Sequence, residues 1–369
     1  MSALASWARD AQPALLTLLE ELAVIAAPSG EEQDRAVFCR DWMRRHVNDS
    51  AYIDDALNAV VEIGDTEQNP IVLLMAHTDI VFDRQTPLFV KKENHRWYCP
   101  GIGDDTANLA VLLFCASYLQ SHPKERGVSF VIAANAGEEG QGNLKGCKAL
   151  MERYGDRVRE MITFDGYLDT LNDNAVGSKR FLIAVDVTGG HSFRDFGNEN
   201  AIAVAGELIT ALSAIPLPSE HITTFNFGHI EGGTTVNSIA AHCELMYEFR
   251  ADHADNLRYM SERFEQVIDR FRSRAEVTVT DIGQRPCAEG VDRAAWDALI
   301  ARAEAAFAPL PPLKRYPAST DCNIPLSMGI PSICVGFLHG GGAHTVGEYI
   351  EPASLQDGLE AALRLVDSY

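Results

Sequence analysis

The sequence predicts an α/β chain with a mostly parallel central sheet, interrupted by an inserted α+β unit of ferredoxin-like order. Three observations carry this. Short apolar runs alternate with longer helical patterns as far as Gly177, the alternation of a parallel sheet and its crossover helices. Beyond Gly177 the order of elements changes to β-α-β-β-α-β, a split unit complete in itself. The chain of 369 residues also exceeds one typical domain. The expected division is a discontinuous domain of residues 1–179 and 286–369, with an inserted domain at 180–285.

In order along the chain, Leu15, Leu18, Leu19, Leu22 and Ile25 recur at helical spacing, and Pro28 is read as the stop of that helix. Ser29 and Glu32 have the spacing of a capping box for the next helix. Ile71 to Met75, Val128 to Ala133 and Met161 to Phe164 read as buried strands, with a helix from after Asp105 to about Gln120. In the inserted unit, Phe181 to Val187, Thr223 to Ile230, Cys243 to Phe249 and Val277 to Thr280 read as strands, and Asn198 to Leu212 and Ala254 to Arg272 as helices. Leu257, Met260, Phe264, Val267, Ile268 and Phe271 share one face of the second helix. Pro309, Pro311 and Pro312 mark a loop in the returning segment.

Composition excludes several classes of partner. The 31 Lys and Arg against 52 Asp and Glu give a formal charge of -21, with no basic stripe to follow a phosphate backbone. Nucleic acid and anionic membranes are therefore poor partners. No window reaches the ~18 apolar residues of a membrane span. Glu20 and Glu21 interrupt the apolar stretch from Leu15 to Ala27, which reads as an amphipathic helix rather than a signal peptide, so a cytoplasmic protein is expected. The eight cysteines show neither C-x-x-C nor zinc-finger spacing and read mostly as buried thiols.

Five segments could carry chemistry. In Met75-Ala76-His77-Thr78-Asp79 a buried strand runs into a His and an Asp two residues apart, on one face; they either cap the strand end or hold a metal and orient its ligand. Gly101-Ile102-Gly103-Asp104-Asp105 delivers two acids to a helix N-terminus. An N-cap explains Asp105 but not both, and the glycines let Asp104 turn both oxygens outward, as a bridging carboxylate must. In Gly137-Glu138-Glu139-Gly140 one carboxylate can ligate a metal while its neighbour takes a proton from an activated water; a solvated loop is the alternative. Phe164-Asp165-Gly166 and Gly340-Gly341-Gly342-Ala343-His344, with Glu348 following, complete the set. All five lie at strand ends or in glycine loops of one α/β region, where reactive residues of such sheets gather.

With A-H-T-D, G-I-G-D-D, G-E-E-G, F-D-G, G-G-H-S-F, G-G-T-T-V-N, F-R-A-D, S-T-D and G-G-G-A-H-T in this order, the chain resembles zinc metallopeptidase family 20, which includes carboxypeptidase G, peptidase T, aminoacylase and carnosinase-type dipeptidases. The resemblance implies a zinc-peptidase-like catalytic domain plus an inserted lid and dimerisation domain. It implies two zinc ions, with manganese or cobalt as substitutes: His77, Asp104 and Asp165 would hold one, and Asp104, Glu139 and His344 the other. It makes Asp79 the residue that orients His77, and Glu138 the general base and later proton donor. It implies a cis peptide between Asp104 and Asp105. His191 resembles a residue that polarises the scissile carbonyl, often from the partner subunit; Asn237 resembles a substrate-backbone contact, and Arg250, thirteen residues later, a carboxylate clamp. Ser319 and Gly341 fall at further substrate-contacting positions.

The chain departs from the pattern where many members carry a Lys after the paired Asp: here stand Thr106 and Asn108, and Ser319-Thr320-Asp321 replaces a more glycine-rich segment. The ligand set is intact, but the subgroup is left open. The expected activity is cleavage of an amide bond in a small peptide by a homodimer. The alternatives are an N-acyl amino acid deacylase of the same chemistry and a metal-free scaffold that has lost catalysis. The remaining histidines, among them His46, His95 and His242, match no motif and read as structural or exposed.

Overall fold

The computed structural model describes residues 3–369. The chain divides into two compact units, one made of residues up to Asn174 with Glu289–Tyr369, the other of Ala175–Ala288.

The first unit is built on a central sheet. Ile71–His77 lies between Ser129–Asn135 and Val158–Phe164, and Ser332–Val335 follows outside Val158–Phe164; all these neighbours are parallel. Antiparallel strands follow on both sides, Ala59–Ile63 beside Ser129–Asn135 and Thr170–Asn172 beside Ser332–Val335, with the short strands Tyr52–Ile53 and Lys314–Arg315 outermost. Every residue of Ile71–His77 and Ser129–Asn135 is buried. Burial on both faces is why these strands are continuous apolar runs rather than alternating ones. Helices Ala3–Ala23, Asn108–Ser121 and Arg293–Phe307 all pack against Ser354–Asp367. Asn108–Ser121 is buried from Asn108 to Ala116 with no polar stripe.

Two expectations near the N-terminus are corrected. The first helix ends at Ala23, before Ile25 and Pro28, and the carbonyls of Leu22 and Ile25 accept bonds from the Arg35 guanidinium instead of continuing the helix. Ser29 and Glu32 form no capping box. The Ser29 hydroxyl donates to Asp79 at 2.6 Å, and Glu32 accepts from Gly30 N and from Lys145 Nζ.

The second unit has the predicted β-α-β-β-α-β order. Its antiparallel sheet runs Thr223–Gly232, His242–Ala251, Gly177–Asp186, Glu276–Arg285 across. Phe181, Ile183, Val185, Cys243, Leu245, Tyr247 and Phe249 point to one face, where helices Ala201–Ser213 and Ala254–Phe271 cover them. Asn200 caps the first helix, its side chain accepting from the N–H groups of Ile202 and Ala203. A short ribbon pairs Gly190–His191 with Ser238–Ile239. All eight cysteines are free and buried. No helix among the described residues is long and apolar enough to cross a membrane.

Candidate active site

The parallel strands of the first unit end side by side, and the side chains just beyond their carboxyl ends meet. His77 is the last residue of its strand, Glu138 and Glu139 follow Ser129–Asn135, and Asp165 follows Val158–Phe164. His344 comes from the loop between Gly341 and Tyr349, where it takes a left-handed φ of 63°. Asp104 and Asp105 lie in the turn leading into Asn108–Ser121, and the peptide between them is cis.

The imidazole of His77 is 1% exposed. Its Nδ1 lies 3.0 Å from the backbone oxygen of Asp79; a carbonyl can only accept, so Nδ1 carries a proton and Nε2 faces the cluster. Nε2 is 3.1 Å from Asp104 Oδ1. The other oxygen of Asp104, Oδ2, lies 3.1 Å from His344 Nε2, which is also 2.9 Å from Glu139 Oε1. The two oxygens of one carboxylate thus face two different imidazoles. Ligand atoms of His77, Asp104 and Glu139 fall within 4.8 Å of one another, as do those of His77, Asp105 and Asp165.

Electrostatics follow from this crowding. Burial would make His77 less basic, but the carboxylates of Asp105, Asp104 and Asp79 outweigh it and raise its pKa well above the ordinary value. Hydrogen bonds to Asp104 and Glu139 raise His344 to about 10. Burial pushes Asp104 up, yet His344 and His77 hold it well below the usual carboxylate range. Asp165 is raised to about 7 by burial and then by the Asp104 charge. Four carboxylates, those of Asp104, Asp105, Glu139 and Asp165, crowd around two imidazoles, and burial with mutual repulsion pushes Asp105 and Asp165 toward their protonated forms, a crowding that bound cations would relieve. Nitrogen and carboxylate donors in this mixture suit zinc, manganese or cobalt. The residues therefore fit a pair of divalent ions.

Asp79 meets His77 at two points and also reaches beyond it. Its carboxylate is 3.6 Å from His77 Nδ1, and the closer contact to that nitrogen is its backbone oxygen. The carboxylate accepts from Ser29 Oγ, from Glu138 N at 3.0 Å and from Glu139 N at 2.9 Å, so it fixes the backbone of the paired glutamates. Burial raises its pKa, but His77, Ser29 and the Glu139 N–H bring it down to about 2. Glu138 is 6% exposed.

The roles of three residues were not legible in the sequence. Asp105 is no N-cap: the helix starts at Asn108, and the fully buried carboxylate accepts from His77 N and Asn108 Nδ2. Glu348 accepts three backbone N–H bonds from the turn that carries Asp104. Arg35, fully buried, donates to Thr78 O, Thr106 Oγ1, Leu22 O and Ile25 O. The acid after Asp104 and the Glu after His344 were visible signals; a lone Arg in a helix gave none.

Of the other expected site residues, Ser319 is half-buried and precedes the buried Thr320 and Asp321, the latter accepting from Asn135 Nδ2 at 2.7 Å. Gly341 lies against the Tyr349 ring, where an added Cβ would come within 3.1 Å of the phenol oxygen. His191, Asn237 and Arg250 belong to the second unit. His191 and Asn237 lie together at the short ribbon, where Ser192 N donates to Asn237 O and His191 Nδ1 accepts from Phe193 N. Arg250 stands near the opposite end of strand His242–Ala251 and is paired bidentately with Glu248.

Among known proteins, the chain is 24% identical to carboxypeptidase G2 of Pseudomonas sp. (strain RS-16) over 97% of its own length and 90% of that protein. It is 26% identical to the acetylornithine deacetylase of Yersinia pestis over 60% of its length, a match spanning 61% of the deacetylase. The fold matches a tripeptidase from Staphylococcus aureus with a TM-score of 0.76 at 23% identity, covering 97% of this chain and 98% of that one. The model of peptidase family M20/M25/M40 matches residues 73–368, from the strand that delivers His77 to the last helix. With the strand-end cluster inside that span, the chain belongs to peptidase family M20/M25/M40 and is a metallo-hydrolase of peptides or acylated amino acids.

Proposed function

We propose that this chain hydrolyses the amide bond of a small peptide at a site for two metal ions. The observation that carries this reading is the Asp104 carboxylate, whose oxygens point to separate imidazoles in a crowd of further acids. His77, Asp104 and Asp165 would hold one ion, and Asp104, Glu139 and His344 the other. Such ions, zinc by default, would supply Lewis acidity and a water of lowered pKa. Glu138 takes the proton of the attacking water and returns it to the leaving amine. Asp79 keeps Glu138 in place through its backbone N–H.

The second unit serves as lid and dimerisation surface in this proposal. His191 stabilises the oxyanion in the site of a second copy, with Asn237 on the substrate backbone, while Arg250 clamps a substrate carboxylate. What supports the division is distance: a strand of this length runs about 30 Å, and the His191 ribbon and Arg250 lie toward its opposite ends. Ser319 and Gly341 complete the substrate contacts.

The likeness to a deacetylase favours a second reading, hydrolysis of an N-acyl amino acid by the same machinery. A panel of dipeptides, tripeptides and N-acetyl amino acids, assayed with added zinc, manganese or cobalt, separates the two. Turnover of peptides alone supports the first reading, turnover of acetylated amino acids alone the second. No turnover of any member with any metal overturns both.

A further inference from the structure

We propose that Glu348 is a positioning residue that sets the spacing between Asp104 and His344, and through it the affinity of the site for its second metal ion. The inference rests on the two-ion reading given above and assigns a role to a side chain that touches neither substrate nor ion.

Glu348 is 1% exposed and sits four residues beyond His344, in the same loop. Its Oε1 accepts from Gly103 N and Asp104 N, and its Oε2 from Gly101 N, each at 2.7 Å. The backbone of Glu348 adds two more ties: its oxygen accepts from Cys99 N at 3.2 Å, and its N–H donates to Thr345 O at 3.1 Å. One residue therefore grips the Cys99 to Asp104 turn at four N–H groups while closing the loop that carries His344. The two segments are some 240 residues apart in sequence, and the distance between their ligands depends on this bracket.

The chemistry requires a carboxylate. Three converging donors need acceptor capacity on both oxygens, which a carboxylate has and an amide lacks. Glutamine has the same shape but turns an NH2 group toward one of the donors, so a buried N–H loses its partner. Gly103 is shaped by the same contact. A Cβ there would lie 3.0 Å from Glu348 Oε1, and its φ is not left-handed, so alanine crowds the carboxylate without straining the backbone.

The test strips metal from the full chain and titrates zinc against a chromophoric chelator, with circular dichroism and melting followed in parallel. Native protein is expected to bind two ions. In Glu348→Gln and Gly103→Ala the weaker of the two dissociation constants should rise about 10- to 100-fold, the range for disturbing groups that orient ligands. Excess zinc should restore kcat, with KM for substrate unchanged. If Glu348→Gln does not fold, Gly103→Ala decides. Two ions bound at native affinity by the folded variants overturn this inference alone; a native chain that binds no pair of ions overturns the two-ion reading with it.

Discussion

The two units fill their interiors in opposite ways. The second buries a face of Phe181, Ile183, Val185, Leu245, Tyr247, Phe249 and Phe264 under two helices, and the strand residues between them face outward. The first buries His77, Asp79, Glu138 and Glu139 at the ends of otherwise apolar strands, and Asp105 and Glu348 in the turn and loop beside them. Burial of apolar area is gained without direction, whereas each buried polar group must meet a partner or cost free energy. A substitution in the second unit should thus be read in stability, and one at the strand ends in chemistry.

The sharpest break of that contrast is Glu138→Gln. It should lower kcat about 10²- to 10⁴-fold, the usual share of a general base, with bound metal and melting temperature unchanged. An active, fully metallated variant removes Glu138 from that role. Phe264→Ala should cost about 3–5 kcal/mol in denaturant unfolding, since the ring stacks on Phe181 and Tyr247 in the interior. If kcat of the folded fraction falls as well, the separation of stability from chemistry fails. Asn200→Ala should cost about 1 kcal/mol by freeing two N–H groups at a helix start, again without change in kcat. The smallest effect concerns His242, whose pKa is raised by its hydrogen bond to Asp186. Its contribution is fully present below the unfolded value of 6.5 and lost as pH rises through the higher folded one. His242→Ala should therefore lower the melting temperature slightly at about pH 5 and not at about pH 9. An equal loss at both would assign the effect to packing.

The same contrast governs what could be read from the sequence. In the second unit the fold is legible because its strands alternate and its long helix keeps one apolar face, both local patterns. In the first, the ends of apolar runs marked His77, Glu139 and Asp165 and a glycine-rich turn marked Asp104, because a strand that stops at a charged residue, or a turn that carries two acids, shows in a few letters. The bonds that arrange those residues were not legible. Ser29 reaches Asp79 across 50 residues, Arg35 reaches Thr106 across 71 and Glu348 reaches Asp104 across 244. Ser29 and Glu32 matched a capping pattern, but their side chains have stronger demands elsewhere, a buried carboxylate for one and a lysine for the other. Asp105 fitted an N-cap by type and position, yet the helix begins three residues later and the acid turns to the backbone of His77.

The family model begins at residue 73, while Ser29 and Arg35 come earlier in the chain. A chain cut back to that span would keep the proposed reacting groups but leave Asp79 short of a donor and Thr78 O without its guanidinium. It would also expose the flank of Ser129–Asn135 that Ala59–Ile63 now covers, an open edge next to the paired glutamates. The stretch least marked by motif is thus scaffolding for the most marked one, and grafts or minimal versions of this hydrolase should start at its first helix.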